Sequence, residues 1–270
     1  MDLALIFFSA TKNTALIGKT IKQTLIKLNV NIDEFDITNY EIRQKEFDFG
    51  KYDGIILGAP VYAWRAPEIV REWIKTLEGK GTLCATFFTY GGVASGATHI
   101  DTFSLLKEQN FKVVASAEFL GKHTFSNVDW ELMKDRPNQE DLEISEKFAE
   151  KVIQKFSKAQ PAILELPDSL PERKLNRMTK TARRAIPPPG RNGSECSLCN
   201  TCEEVCPTHA MNAEKGEANP ELCIRCLRCY IHCPDEALKM PSLLKQFQVI
   251  KTMNDLTEEV LENRRSKIFI

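Results

Sequence analysis

Residues 196–207 read C-S-L-C-N-T-C-E-E-V-C-P and residues 223–234 read C-I-R-C-L-R-C-Y-I-H-C-P. Each run is C-x2-C-x2-C-x3-C-P, and the two take all but Cys84 of the chain's 9 cysteines. Three thiolates spaced three apart can wrap one face of a cluster from a tight loop. The fourth is displaced, and the proline after it turns the chain away. Structural zinc suits this poorly, because it asks for two C-x2-C pairs separated by a longer gap. A disulfide framework belongs to secreted chains, and nothing here signals secretion.

In every cysteine position and both prolines the segment resembles the bacterial two-cluster ferredoxins. The resemblance implies two [4Fe–4S] clusters with crossed ligands. One set is Cys196, Cys199, Cys202 and Cys233; the other is Cys223, Cys226, Cys229 and Cys206. Crossing ties the halves together, so a small α+β ferredoxin-like domain, residues 192–240, needs little apolar core.

The chain has 270 residues, enough for about two domains. A hydrophobic content of 43% with 27% charged residues is ordinary for a globular protein, and a net charge of −1 gives no field that would favour nucleic acid. The N-terminal apolar run is short for a signal peptide, and no membrane span is expected. These features, with labile clusters, lead us to expect a cytoplasmic, reducing, anaerobic setting. Cys84 lies in an apolar run and reads as a buried strand residue.

Ahead of the cysteines the pattern alternates. A continuous apolar run at residues 3–8 predicts a buried strand, and the stretches 31–37, 51–58, 82–90 and 111–120 read as further strands. Helical periodicity follows them, first with Ala15, Leu16, Ile21, Leu25, Ile26 and Leu28 as the apolar face, then after Pro67, over 97–109 and over 139–157. Such alternation predicts a doubly wound parallel α/β sheet, with ligands held at the carboxyl ends of its strands. Directly after the first strand comes S-A-T-K-N-T, residues 9–14. Strand, hydroxyl-rich loop and helix form either an anion site or a plain capped helix.

Five βα units with S-x-T-x-N-T after the first strand resemble a flavodoxin, over residues 1–158. The resemblance implies a five-stranded parallel sheet and an FMN site. Ser9, Ala10, Thr11, Lys12, Asn13 and Thr14 would hold the phosphate. Pro60, Val61, Tyr62, Ala63 and Trp64 would flank the ring. Thr89, Tyr90, Gly91, Gly92 and Gly96 would form its other wall. Lys12 departs from the family, which usually has glycine there; either a left-handed backbone strains lysine, or the lysine adds a cation beside the phosphate. Arg136, in R-P-N-x-x-D, either pins the segment after the fifth strand onto the sheet or lies in a surface turn. His99, His123, His209 and His232 form no ligand pair and read as structural or solvent-facing.

Residues 159–191 form a proline-punctuated linker holding a basic run. That run is either a solvated helix or one that docks on the acidic cluster segment or an acidic donor. Residues 241–270 form a helical tail whose apolar face needs a cover, either the flavodoxin-like domain or a second copy in a homodimer. The domain order resembles the flavodoxin–ferredoxin fusion proteins of anaerobes. It implies a relay of electrons between FMN, two [4Fe–4S] clusters and a redox partner protein, with no catalytic nucleophile or base. The alternative is an FMN-dependent reductase of a small-molecule or corrinoid-type acceptor fed through the clusters. Arg225 and Arg228, inside the second ligand run, are expected to raise the potential of their cluster.

Overall fold

The computed structural model describes residues 1–126, 130–166, 171–191, 193, 195–240 and 242–270. In chain order the elements are β1 (Asp2–Phe7), α1 (Asn13–Lys27), β2 (Asn31–Asp36), α2 (Tyr40–Arg43), β3 (Gly54–Pro60), α3 (Glu68–Lys75), β4 (Leu83–Tyr90), α4 (Thr98–Glu108), β5 (Lys112–Leu120) and α5 (Gln139–Phe156). Then come α6 (Glu172–Ala185), β6 (Gly190–Arg191), α7 (Thr201–Glu204), β7 (Met211–Asn212), β8 (Glu217–Ala218), α8 (Arg228–His232), β9 (Leu238–Lys239), α9 (Leu244–Met253), α10 (Glu258–Glu262) and β10 (Lys267–Phe269).

β2, β1, β3, β4 and β5 lie side by side in that order and run parallel. This is the doubly wound arrangement, and its crevice opens between the carboxyl ends of β1 and β3. The runs of β1, β3, β4 and β5 are largely apolar because both faces are covered, whereas the edge strand β2 is mostly polar and exposed. Ala4, Ile6, Ile55, Leu57 and Cys84 face α3 and α4 through Val70, Trp73, Ile74 and Leu106. Leu3, Leu5, Phe7, Ile56 and Ala85 face α1 and α5 through Ile17, Ile21, Phe148 and Val152. Cys84 is fully buried, and burial pushes its thiol up.

Two expectations need correction. The buried stripe of α1 is Thr14, Ile17, Gly18, Ile21, Thr24 and Leu25, whereas Leu16, Ile26 and Leu28 are exposed. Counting leucines and isoleucines rotated the helix, because small residues let it sit close to the sheet. The tail is also not helical throughout. Its last residues form β10, an antiparallel sixth strand on the edge of β5. Ser266 Oγ accepts from Leu120 N (3.0 Å) and donates to Asp141 Oδ1 (2.5 Å), which fastens the tail to the first domain. The first domain thus covers the end of the tail, and β10 protects a sheet edge that would otherwise be open.

Arg136 pins its segment. Its Nε lies 2.6 Å from the fully buried Asp141, and Asn138 and Asp141 close a capping box at the start of α5. The cysteine segment forms a four-stranded antiparallel sheet, ordered β7-β8-β6-β9, with two short helices. The basic run is helix α6, and it docks rather than standing in solvent. Leu175 is buried, Arg65 Nη1 donates to Asn176 Oδ1 (2.7 Å), and Arg183 reaches both Glu68 Oε2 and Pro220 O (3.2 Å each).

Candidate functional site

The loop after β1 leads straight into α1, which has no acidic residue in its first turn. Lys12 sits at its N-cap with φ 72°, the left-handed backbone that glycine would take without cost. For lysine that conformation costs about 1–2 kcal/mol. Lys12 offers no side-chain acceptor, so Ser9 Oγ instead accepts from Ala15 N at 3.0 Å. Thr14 Oγ1 pairs with Thr89 Oγ1 (2.6 Å) and Asn13 Nδ2 donates to Lys122 O (2.8 Å). The loop is thus stitched to β4 and to the segment after β5.

The loop after β3 turns back on itself. Tyr62 and Arg65 exchange backbone hydrogen bonds (2.8 and 3.2 Å) across Ala63 and Trp64, whose φ values are 49° and 66°. Two left-handed residues make this a type I′ turn, a geometry usually given to Asn-Gly. Arg65, 1% exposed, holds it from beneath: Asp101 receives Arg65 (2.5 Å) and Arg71 (2.7 Å). Gly96 completes the contact. At φ +60° it lies so close that an added Cβ would stand 2.4 Å from Trp64 Cβ, while Ala97 N donates to Trp64 O at 2.9 Å.

These loops face one cavity with an empty volume of about 1420 Å³ that opens to solvent. Thr11, Asn13, Pro60, Val61, Tyr62, Ala63, Trp64, Thr89, Tyr90 and Gly91 line it. Ser9, Ala10, Lys12, Thr14, Gly92 and Gly96 stand behind that lining. Much of the rest of the wall comes from beyond the loops named by sequence: His123 and Phe125 after β5, Thr179 and Arg183 on α6, Ile224 and Arg225 in the second cysteine run, and Phe247 and Ile250 on α9. His123 was expected to be structural. It faces the cavity, and burial lowers its pKa to about 4. Burial first and the Glu118 carboxylate next push the Tyr90 phenol up to about 12. Tyr62's hydroxyl is buried with no hydrogen bond of regular geometry, although Thr124 stands beside it. An apolar slot with an orphaned hydroxyl on one wall and a helix N-terminus at one end suits a flat ring carrying a phosphate tail.

The cysteine runs are a structural repeat. Leu198, Asn200 and His209 have φ of 55°, 63° and 51°; Arg225, Leu227 and Glu236, each 27 positions later, have 57°, 57° and 51°. Six non-glycine residues in matched left-handed positions bend each loop the same way. The cysteines group across the repeat. Burial raises the Cys202 thiol, and the charges of Cys233 and Cys196 raise it further; these three and Cys199 line a cavity of their own. Burial likewise raises Cys223, Cys226 and Cys229, each of which also feels the charge of Cys206. Ala210 N donates to Cys206 Sγ at 3.2 Å. Among the described residues no three His, Cys, Asp or Glu side chains converge as ligands of a single ion.

The two sets differ in setting. Cys199 is exposed, with Cys196, Cys202 and Cys233 half-buried. Cys223, Cys226 and Cys229 are buried, and Cys226 belongs to the apolar core that includes Ala59, with Val61, Tyr62 and Ile224 packed on it.

Residues 4–131 match a family model described as a flavodoxin domain, and residues 188–234 match a 4Fe-4S dicluster domain. No curated protein matches the chain. Among solved structures, a flavodoxin from the domain Archaea is 14% identical, over 58% of this chain and 100% of that one, with a TM-score of 0.44. Oxidised flavodoxin 1 from Bacillus cereus is 21% identical over 57% and 98%, TM-score 0.43. Rubredoxin oxygen:oxidoreductase from the anaerobe Desulfovibrio gigas is 14% identical over 57% and 36%, TM-score 0.43.

Proposed function

We propose that this chain, an N-terminal flavodoxin-like domain fused to a C-terminal 4Fe–4S ferredoxin-type domain, passes electrons between FMN in the cavity and a redox partner protein through two [4Fe–4S] clusters. When bound, FMN exchanges one or two electrons and each cluster exchanges one. The chain's own work is to fix distances and exclude water. The observation that carries the reading is the position of Cys226, packed into the same apolar core as Ala59, Val61 and Tyr62 on the ring-side loop. The set Cys206, Cys223, Cys226 and Cys229 therefore lies next to the flavin cavity. The set Cys196, Cys199, Cys202 and Cys233 lies toward solvent, where the partner meets it. Ile224 and Arg225 of the cluster domain stand on the wall of that cavity, and this contact supports a relay over a reductase.

The division we propose is residues 1–158, 159–191, 192–240 and 241–270, with one amendment to its roles. Linker helix α6 and tail helix α9 are walls of the flavin cavity, not spacers. No helix among the described residues is long and apolar enough to cross a membrane. Nine unpaired cysteines suit a reducing, cytoplasmic setting.

Anaerobic purification with iron, sulfide and flavin assays tests this. About eight irons and about one FMN per chain are expected. Zinc in place of iron, or iron with no flavin even after FMN is added back, would overturn it.

A further inference from the structure

This inference rests on the assignment of FMN to the cavity. The loop after β1 offers a phosphate hydroxyls and helix amides, but its one cation, Lys12, is exposed. A half-buried cation of the other domain bonds to this loop. Arg228 lies between the ligands Cys226 and Cys229 and opens α8. Its Nη1 donates to Ser9 O at 3.1 Å, and its charge also reaches Tyr62. The guanidinium thus stands where the loops after β1 and β3 meet, at the switch point of the sheet. A guanidinium carries five donors in a flat fork, so one bond to a carbonyl leaves a geometry suited to phosphate oxygens.

We propose that Arg228 is an FMN-phosphate ligand delivered by the cluster domain. Domain stapling does not need it, because Arg43 donates to Pro207 O and Arg183 to Pro220 O at separate points of the same interface. Arg228 sits inside a cluster ligand run, so phosphate binding and the field at that cluster are linked, and the linkage is reciprocal.

The test uses the full chain with both clusters, freed of flavin and titrated with FMN and with riboflavin by flavin fluorescence. Arg228→Gln and Arg228→Met remove the charge; Arg228→Lys keeps it. Iron content selects whichever uncharged variant retains both clusters. That variant should bind FMN about tenfold more weakly than the wild type and riboflavin equally well. Arg228→Lys, which keeps the charge and loses the fork, should fall between the wild type and the uncharged variant for FMN. Unchanged FMN affinity in the uncharged variant overturns the proposal, as does an equal loss of FMN and riboflavin, which would mark Arg228 as a staple only. A wild type that binds neither flavin overturns the FMN assignment itself, and this proposal with it.

Discussion

Gly96→Ala places a methyl group in the path of Trp64. The added Cβ would lie 2.4 Å from Trp64 Cβ and 3.0 Å from its Cα, so a rotamer change cannot clear the overlap. Gly96 also sits at φ +60°. The left-handed backbone costs alanine about 1–2 kcal/mol whether or not flavin is present, so that part lowers stability alone. The overlap costs about 1–3 kcal/mol if Trp64 must stay in place. In flavin-free protein the Ala63–Trp64 turn can shift outward; with flavin bound against it, it cannot. The overlap should therefore weaken FMN binding by roughly 5- to 150-fold, at 1.4 kcal/mol per decade. Fluorescence titration of wild type and Gly96→Ala with FMN measures this, and thermal unfolding of the flavin-free forms reports the backbone cost. A variant with a lower Tm but unchanged FMN affinity would refute the placement of Trp64 on the ring wall.

Further outcomes follow from the same geometry. Asp101→Ala leaves the buried Arg65 without its counter-ion and Arg71 with only Glu172 at 3.6 Å; breaking such a buried pair costs about 3–5 kcal/mol, seen as a lower Tm together with a loosened α6. Burial holds the folded pKa of His123 near 4, below the ordinary imidazole value of about 6.5. The unfolded chain therefore binds the extra proton first, and His123's contribution to stability, fully present above pH 6.5, is lost as pH falls from about 6.5 toward 4. Urea midpoints across that window should fall in the wild type and flatten in His123→Phe. Ser266→Ala removes a hydroxyl that serves both Leu120 N and Asp141. It should cost about 1–3 kcal/mol, with faster amide exchange along β5 and β10.

What the sequence showed and what it hid divide along physical lines. β1, β3, β4 and β5 were legible because both faces of each are covered, leaving unbroken apolar runs such as 3–8 and 83–90. The cysteine repeat was legible because ligand spacing is local. The left-handed Lys12 was foreseen from the missing glycine. The tilt of α1 was not, because Gly18 and Thr14 bury a helix face without adding hydrophobicity. β10 is three residues long, below what alternation can signal. The cavity's outer wall was hidden for a different reason. Thr179, Ile224, Arg225 and Phe247 lie far along the chain from the ring loops, and nothing near them in sequence marks a flavin face. His123 left a trace, an aromatic-rich stretch at the carboxyl end of β5, the edge on which the other ring loops lie.

The central claim is that the crossed set built on Cys206 lies beside the flavin cavity and the set built on Cys233 lies away from it. Electron paramagnetic resonance of partly reduced protein tests it, because a nearby paramagnetic cluster speeds relaxation of the flavin radical. Cys206→Ser and Cys233→Ser each remove a ligand from one set. The account predicts that fast flavin relaxation disappears in Cys206→Ser and persists in Cys233→Ser. The opposite pattern, or equal loss in both, would contradict it.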